Sequence, residues 1–296
     1  DDDDDQEDYS DDDDVSWKVR RAAAKVLSSL ILSRPDRLPT LLPMLLPTLI
    51  NRFREREENV KMDIFNTFND LLCQVAAART SEVDAITLDG GDAMAVDDAG
   101  STSGMLLLEV PRVVKAAARQ LKEKSTKTRI AAFHGLRQLV MTLPGCLTSH
   151  APALIPGLEK ALKDTGSNPM RIEALLFLKH ALASHPPTTF QPHVKVLIPP
   201  VVALADDRYY KTVSEALRVL SEIVQLLRPE PPASSFAYES HVPVLYGVVE
   251  RRLQAQDQDQ EVKECAITCM GLLVYHLADH PAVNLTTILP LLLERM

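Results

Sequence analysis

Apolar residues recur at helical spacing behind a basic residue at six places along the chain. Each of these segments continues with apolar side chains three or four positions apart, which is the spacing of one face of an α-helix. The acidic residues that end at Asp14 favour a helix N-terminus at about Ser16, because negative charge is stabilised next to the unpaired N–H groups of a first turn. The apolar face expected for this first helix comprises Ala22, Ala23, Val26, Leu27 and Leu30.

The six segments form a repeat. The basic residues that lead them are spaced 41, 68, 42, 40 and 52 positions apart, and a period of about 40 is typical of solenoids built from helix pairs. The fifth is displaced by one position from the register of the others. They are Arg20, Lys61, Arg129, Arg171, Lys211 and Lys263.

A second apolar helix, with proline in or near its apolar stripe, is expected before each of these segments. Proline inside a helix removes a hydrogen bond and bends the helix. A bent first helix paired with a straighter second helix is typical of HEAT repeats. We therefore expect an all-α protein, an α-solenoid of HEAT repeats that forms a right-handed superhelix of antiparallel helix pairs. The prolines in question are Pro43, Pro47, Pro111, Pro156, Pro199, Pro243 and Pro290.

Acidic residues tend to precede the basic residue by six positions. HEAT proteins use an acid in this turn and a basic residue in the second helix to form ladders between neighbouring repeats. Ordinary placement of negative charge near helix N-termini is the alternative interpretation. The acids are Asp14, Glu55, Glu123 and Asp257, with Asp164 one step further away.

The net charge of −9 is concentrated in two segments. Residues 1–14 hold eleven acids and no base, and residues 80–104 hold six acids and no base. Removing these seventeen negative charges from the net −9 leaves +8 on the rest of the chain. We expect both segments to be disordered, with 1–14 an acidic run inside a truncated repeat and 80–104 an acidic insert. The HEAT repeats then occupy 15–79 and 105–296, with a proline-rich loop between repeats at 228–236.

The composition favours helices and argues against a membrane protein. Apolar residues make up 46% of the chain and aromatic residues only 5%. No apolar run approaches the 18 residues of a membrane span. The chain has no starting Met and no signal peptide, and its last residues resemble a helix cut short, so we expect an internal fragment of a longer protein.

No motif predicts catalysis, a cofactor, a metal or a small-molecule substrate. Cys265 and Cys269, followed by His276 and His280, resemble a zinc finger, but the gap between the pairs is too short and the cysteines fall in the buried stripe. The four cysteines read as reduced thiols of a cytosolic or nuclear protein. The basic body lacks the interleaved aromatic residues expected of a nucleic-acid surface, so nucleic acid is not expected as a partner.

Ser10 lies among acidic residues, which is a good context for acidophilic kinases. Phosphorylation would deepen an already negative patch. An acidic tether that is never modified is the alternative.

Four strings of residues closely resemble the cullin-associated, neddylation-dissociated protein family. They occupy 11–25, 52–61, 197–203 and 259–264. The resemblance runs nearly end to end and weakens mainly in the 80–104 insert. It implies a HEAT scaffold that binds an unneddylated cullin and its RING subunit, and that promotes substrate-receptor exchange on cullin–RING ubiquitin ligases in the cytoplasm and nucleus. The alternative is a transport-receptor-like HEAT solenoid that binds basic protein cargo.

Second helices of a HEAT superhelix usually line its concave side, so polar residues off their apolar stripe are candidate partner contacts. We expect charge reversal of these residues in groups to weaken binding to a cullin–RING pair. The candidates are Arg21, Lys25, Asn66, His134, Arg137, Lys179, Arg218 and Glu222.

Overall fold

The computed structural model describes residues 15–88, 100–230, 236–256 and 259–294, and over 82–88 it describes the backbone alone. Within these ranges the regular elements are helices, and no strand occurs. The α-helices are α1 Ser16–Ser33, α2 Leu38–Arg52, α3 Glu58–Leu88, α4 Thr102–Gln120, α5 Thr126–Thr142, α6 Ile155–Leu162, α7 Asn168–Ser184, α8 Pro187–Phe190, α9 Val194–Ala205, α10 Tyr210–Leu227, α11 Val242–Gln254, α12 Gln260–Leu277 and α13 Leu285–Leu293.

Short polar side chains set the starts of several helices. Ser101, Ser125 and Ser167 each accept a hydrogen bond from a backbone N–H in the first turn of α4, α5 and α7. Asp259 and Asn284 do the same for α12 and α13. These caps satisfy N–H groups that a helix leaves without a partner.

The helices alternate between two layers. The first-helix layer contains α2, α4, α6, α9, α11 and α13, and the second-helix layer contains α1, α3, α5, α7, α10 and α12. Neighbours in the second-helix layer contact one another more extensively than neighbours in the first-helix layer. The expected α-solenoid of helix pairs is confirmed.

A continuous apolar core lies between the two layers. Phe53 stacks on Phe65 with ring centroids 4.4 Å apart and meets Phe68 edge-on at 5.2 Å. Phe133 and Phe177 continue the aromatic contacts between α5 and α7. A helix pair has apolar surface on both sides, so stacking with its neighbours is what buries this core.

Prolines distinguish the two layers, with one correction. Pro43 and Pro47 lie inside α2, and Pro111 and Pro290 lie inside α4 and α13. The fifth expected site, in α9, holds two adjacent prolines, Pro199 and Pro200. Pro156 and Pro243, however, occupy the first turns of α6 and α11, where no helical hydrogen bond is lost. These two prolines start their helices and do not bend them.

The apolar face expected for α1 is wrong except at Leu27, which is partly buried against the core. Ala22, Ala23, Val26 and Leu30 are exposed. Helix α1 buries Ala24 and Ile31 instead. In α3, 41 positions later, Val60, Thr67 and Leu71 are buried. The difference arises because α2 covers that side of α3, whereas no described helix precedes α1.

The boundaries of the acidic insert also differ from the expected 80–104. Helix α3 continues to Leu88, and α4 begins at Thr102 behind its Ser101 cap, with Ser103 and Gly104 buried. The expected disorder of the remainder falls on 89–99, outside the described residues. So do the acidic run 1–14 with Ser10 and the central part of the 228–236 loop, which follows the end of α10.

Candidate partner-binding surface

A row of largely buried ion pairs lies at the N-terminal ends of the second helices. Arg20 Nε lies 3.0 Å from Glu55 Oε2, and Arg129 Nη2 lies 3.1 Å from Asp164 Oδ2. Each pair joins a second helix to the turn before the next one. Among the acids expected to form a ladder between repeats, Glu55 and Asp164 therefore do so.

The ladder has a further rung and a missing one. Arg171 Nη1 lies 2.7 Å from Asp207 Oδ2. Asp207 was not among the predicted acids, because Lys211 is displaced by one position and the spacing rule therefore does not point to Asp207. The expected rung from Lys61 to Glu123 is not formed within the described residues. Glu58 instead accepts a hydrogen bond from Ser125 and pairs with Lys127 at 3.6 Å. Asp257 lies outside the described residues.

A second row of ion pairs lies about two turns further along the same helices. Arg137 pairs with Glu173 at 2.8 Å, Lys179 with Glu215 at 3.8 Å, and each pair joins neighbouring second helices. Arg218 of α10 continues the row with Glu261 of α12 at 2.7 Å. Arg21, which directly follows Arg20, also joins neighbouring second helices, because it pairs with Asp63 of α3 at 2.6 Å. Four of the eight candidate contacts are thus held by acids of the next second helix.

The other four candidates are not ion-paired in this way. Lys25 and Asn66 are exposed, and their side chains make no hydrogen bond or ion pair with another described residue. His134 is half-buried with Nε2 at 3.3 Å from the Gln138 amide, and burial lowers the pKa of its imidazole despite the opposing charge of Glu173. Burial also raises the pKa of the Glu222 carboxyl, against the opposing effect of Lys179.

Several buried polar residues tie the repeats together and were missed from the sequence. Thr67 Oγ1 lies 3.0 Å from Ala24 O, and Thr142 Oγ1 lies 3.3 Å from Leu72 O. Each hydroxyl proton is shared with a carbonyl of its own helix, Asp63 O at 2.8 Å and Gln138 O at 2.9 Å. Gln191 Nε2 donates to Leu226 O at 3.0 Å. The sequence pattern treats such positions as ordinary members of a helix, so only the three-dimensional stack reveals them.

His185 is the most connected of these buried groups. Its Nε2 accepts a hydrogen bond from Leu147 N at 2.9 Å, and its Nδ1 lies 2.8 Å from Ala181 O. Because Nε2 accepts, Nδ1 carries the proton and the ring is neutral. Burial lowers the pKa of His185, which favours this neutral form.

The cysteines and histidines do not assemble into a reactive or metal-binding site in the described part of the chain. Burial raises the pKa of the Cys269 thiol to about 12, and it also raises the pKa of Cys265. His276 Nδ1 lies 3.0 Å from Arg228 O, and His280 Nδ1 accepts from Ala282 N. The same described residues include no helix that is both long and apolar enough to span a membrane.

Comparison with protein families identifies relatives of one kind. A family model described as "CAND1-like, TPR repeats" matches residues 145–270. The chain is 47% identical over 284 residues to cullin-associated NEDD8-dissociated protein 1 of Arabidopsis thaliana, covering 96% of this chain and 22% of that protein. It is 41% identical to the Drosophila melanogaster protein of the same name, again covering 96% of this chain and 22% of the relative. The chain therefore spans about a fifth of the length of these relatives.

Comparison with solved structures supports the fold. Importin beta aligns with a TM-score of 0.62 at 13% identity, covering 93% of this chain and 33% of the other. A designed armadillo repeat protein aligns with a TM-score of 0.56 at 14% identity, covering 86% of this chain and 92% of the other. At this level of identity the likeness concerns the helical solenoid alone.

Proposed function

We propose that this chain, which belongs to the family of the cullin-associated NEDD8-dissociated proteins over the stretch that it shares with them, contributes to binding an unneddylated cullin and its RING subunit. In this proposal the whole protein promotes exchange of substrate receptors on cullin–RING ubiquitin ligases. The observation that carries the proposal is the 47% identity over 96% of the chain to a relative that is named for its association with cullins.

The architecture suits a binding scaffold. A solenoid offers an extended concave surface on which residues from many repeats can contact one large partner. Glu173 is engaged in an ion pair between repeats, His185 in a buried hydrogen bond, and Cys269 is buried. We therefore propose that the segment acts by placement and recognition, without catalysis.

The candidate contacts divide into two groups with different roles. Lys25 and Asn66 are exposed and have no side-chain partner among the described residues, so they are available to a partner protein. Arg137, Lys179 and Arg218 are already held by neighbouring helices, and a partner would meet them as fixed ion pairs. We propose that the first group contributes directly to binding and that the second maintains the shape of the surface.

We also propose that the protein works in the cytoplasm and nucleus, where thiols stay reduced. All four cysteines are free, and Cys73 is exposed. A fluorescent fusion of the full-length protein tests this; confinement to the secretory pathway would contradict it.

Co-purification of the full-length protein with cullin–RING pairs tests the proposed function. We expect the unneddylated pair to be retained and the neddylated pair to be lost. Equal retention of both pairs, or of neither, would overturn the proposal. Binding to basic import signals instead would support the transport-receptor alternative.

A further inference from the structure

The C-terminal ends of α7, α10 and α12 border an open groove on the second-helix layer. Its volume is about 470 Å³. Leu182, Leu226 and Leu272 contribute apolar surface to it, and Glu222 and Tyr275 also line it. The groove therefore combines apolar walls with a carboxyl group, that of Glu222, which no basic side chain of the described residues pairs with.

Glu222 is an acid of the second-helix surface that has no ion pair with a basic side chain among the described residues. The acids Glu173 and Glu215 in the neighbouring row each face a lysine or arginine of the preceding second helix within 4 Å. No corresponding ion pair of Glu222 is found among the described residues, and Lys179 acts on it only from a greater distance. Burial removes water from the Glu222 carboxylate. A cation that enters the groove would replace part of that lost hydration and stabilise the charged form.

The groove holds a second carboxyl group, that of Glu230, whose negative charge is partly offset by the nearby Arg228. Glu230 lines it and accepts a hydrogen bond from Tyr275 Oη at 2.9 Å. No lysine or arginine lines it, and its two histidines, His185 and His276, are both engaged with backbone groups. Three helices also end here, and the partial negative charge of a helix C-terminus favours cations.

We infer that this groove binds a basic segment of a partner protein, with a lysine or arginine side chain placed on Glu222. The aliphatic stem of that side chain would pack on Leu182 and Leu272, and Tyr275, which is 67% exposed, offers its ring to a second cation. The groove crosses three helices whose axes are roughly 8–10 Å apart, a span that about six extended residues cover. This inference holds whether or not the partner is a cullin.

Fluorescence anisotropy with a labelled octapeptide of alternating lysine and arginine tests the inference. We expect the 296-residue chain to bind this probe and the Glu222→Gln variant to bind it about tenfold more weakly, because a charge-assisted contact is lost. Tyr275→Ala should weaken binding about threefold. An octapeptide of alternating glutamate and aspartate should not bind.

Glu123→Gln is the matched control, because it removes the same charge from an exposed residue outside the groove that has no ion pair among the described residues. We expect it to bind the probe within twofold of the unchanged chain. Equal affinity of Glu222→Gln and Glu123→Gln would overturn the inference, since it would mean that the probe follows net charge or the acidic run 1–14. Absence of binding to the unchanged chain would also overturn it. Circular dichroism checks that each variant is folded, and Tyr275→Ala provides an independent measurement.

Discussion

Single residues of this solenoid act mainly by linking one repeat to the next. Arg129 and Arg171 are buried to about nine-tenths of their side chains, 11% of each being exposed, and each holds an acid of the following turn. Thr67 and Thr142 reach backbone carbonyls of the preceding second helix. Buried polar groups of this kind cost free energy when their partner is removed, so they help to set how the repeats stack.

His185 gives the stability of the chain a dependence on pH. The folded state lowers its pKa, so its contribution to the free energy of unfolding is present above the ordinary histidine pKa of about 6.5 and is lost as pH falls through the lowered value. His185→Phe should lower the free energy of unfolding by about 1–3 kcal/mol at pH 7.5, because Leu147 N–H loses its acceptor. The deficit should shrink at pH 5.

Urea denaturation at both pH values measures this effect. His193→Gln serves as the control, since the His193 ring makes no hydrogen bond with another described residue and its replacement leaves no backbone N–H without an acceptor. A deficit of His185→Phe that is equal at pH 7.5 and pH 5 would show that the neutral ring has no special role.

Gly157 of α6 lies close to Leu121 at the end of α4. A Cβ atom on Gly157 would lie 2.9 Å from Leu121 Cδ1 and 3.0 Å from Leu121 Cβ. The Leu121 Cβ cannot move without its backbone, so Gly157→Ala should destabilise the chain by about 1–2 kcal/mol despite the better helix propensity of alanine.

Gly271 in α12 provides the matched comparison. A Cβ atom there has no atom within 4 Å, so Gly271→Ala should stabilise the chain by about 0.5–1 kcal/mol. Thermal or urea denaturation of both variants measures these changes in the free energy of unfolding. A stabilising Gly157→Ala would mean that α6 and α4 are less closely packed than the structure shows.

The helices themselves were largely predictable, but their surroundings were not. The spacing behind Arg129 and Arg171 gives the buried face of α5 and α7 correctly, because every repeat buries that face. The same reasoning failed for α1, whose Val26 is exposed, since burial depends on a neighbouring helix that the spacing cannot represent. The pattern also suggested that Pro156 bends its helix, whereas Pro156 lies in the first turn of α6 and bends nothing.

The sequence predicted which residues lie on the candidate surface, but it did not predict their ion-pair partners. Arg137, Lys179 and Arg218 were correctly set off the apolar stripe, but the sequence could not show that Glu173, Glu215 and Glu261 hold them. These acids lie 36, 36 and 43 positions away. The groove at the ends of α7, α10 and α12 is likewise a property of three repeats together.

The whole molecule behaves as a row of neighbours. Each second helix contacts mainly the second helices before and after it, so the shape of the second-helix surface depends on the ion pairs and buried hydrogen bonds that join adjacent repeats. A large partner would contact residues of several adjacent repeats at once. We therefore propose that the exposed polar residues of the second-helix layer contribute to binding the cullin–RING pair.

The affinity of the full-length protein for an unneddylated cullin–RING pair, measured by calorimetry, tests this claim most directly. The variant Lys25→Glu with Asn66→Asp should bind about tenfold more weakly than the unchanged protein, because both side chains are exposed on the second-helix layer. The control variant Lys115→Glu with Lys160→Glu, on exposed residues of α4 and α6, should keep its affinity. Unchanged affinity of the first variant, or an equal loss in both, would contradict the account.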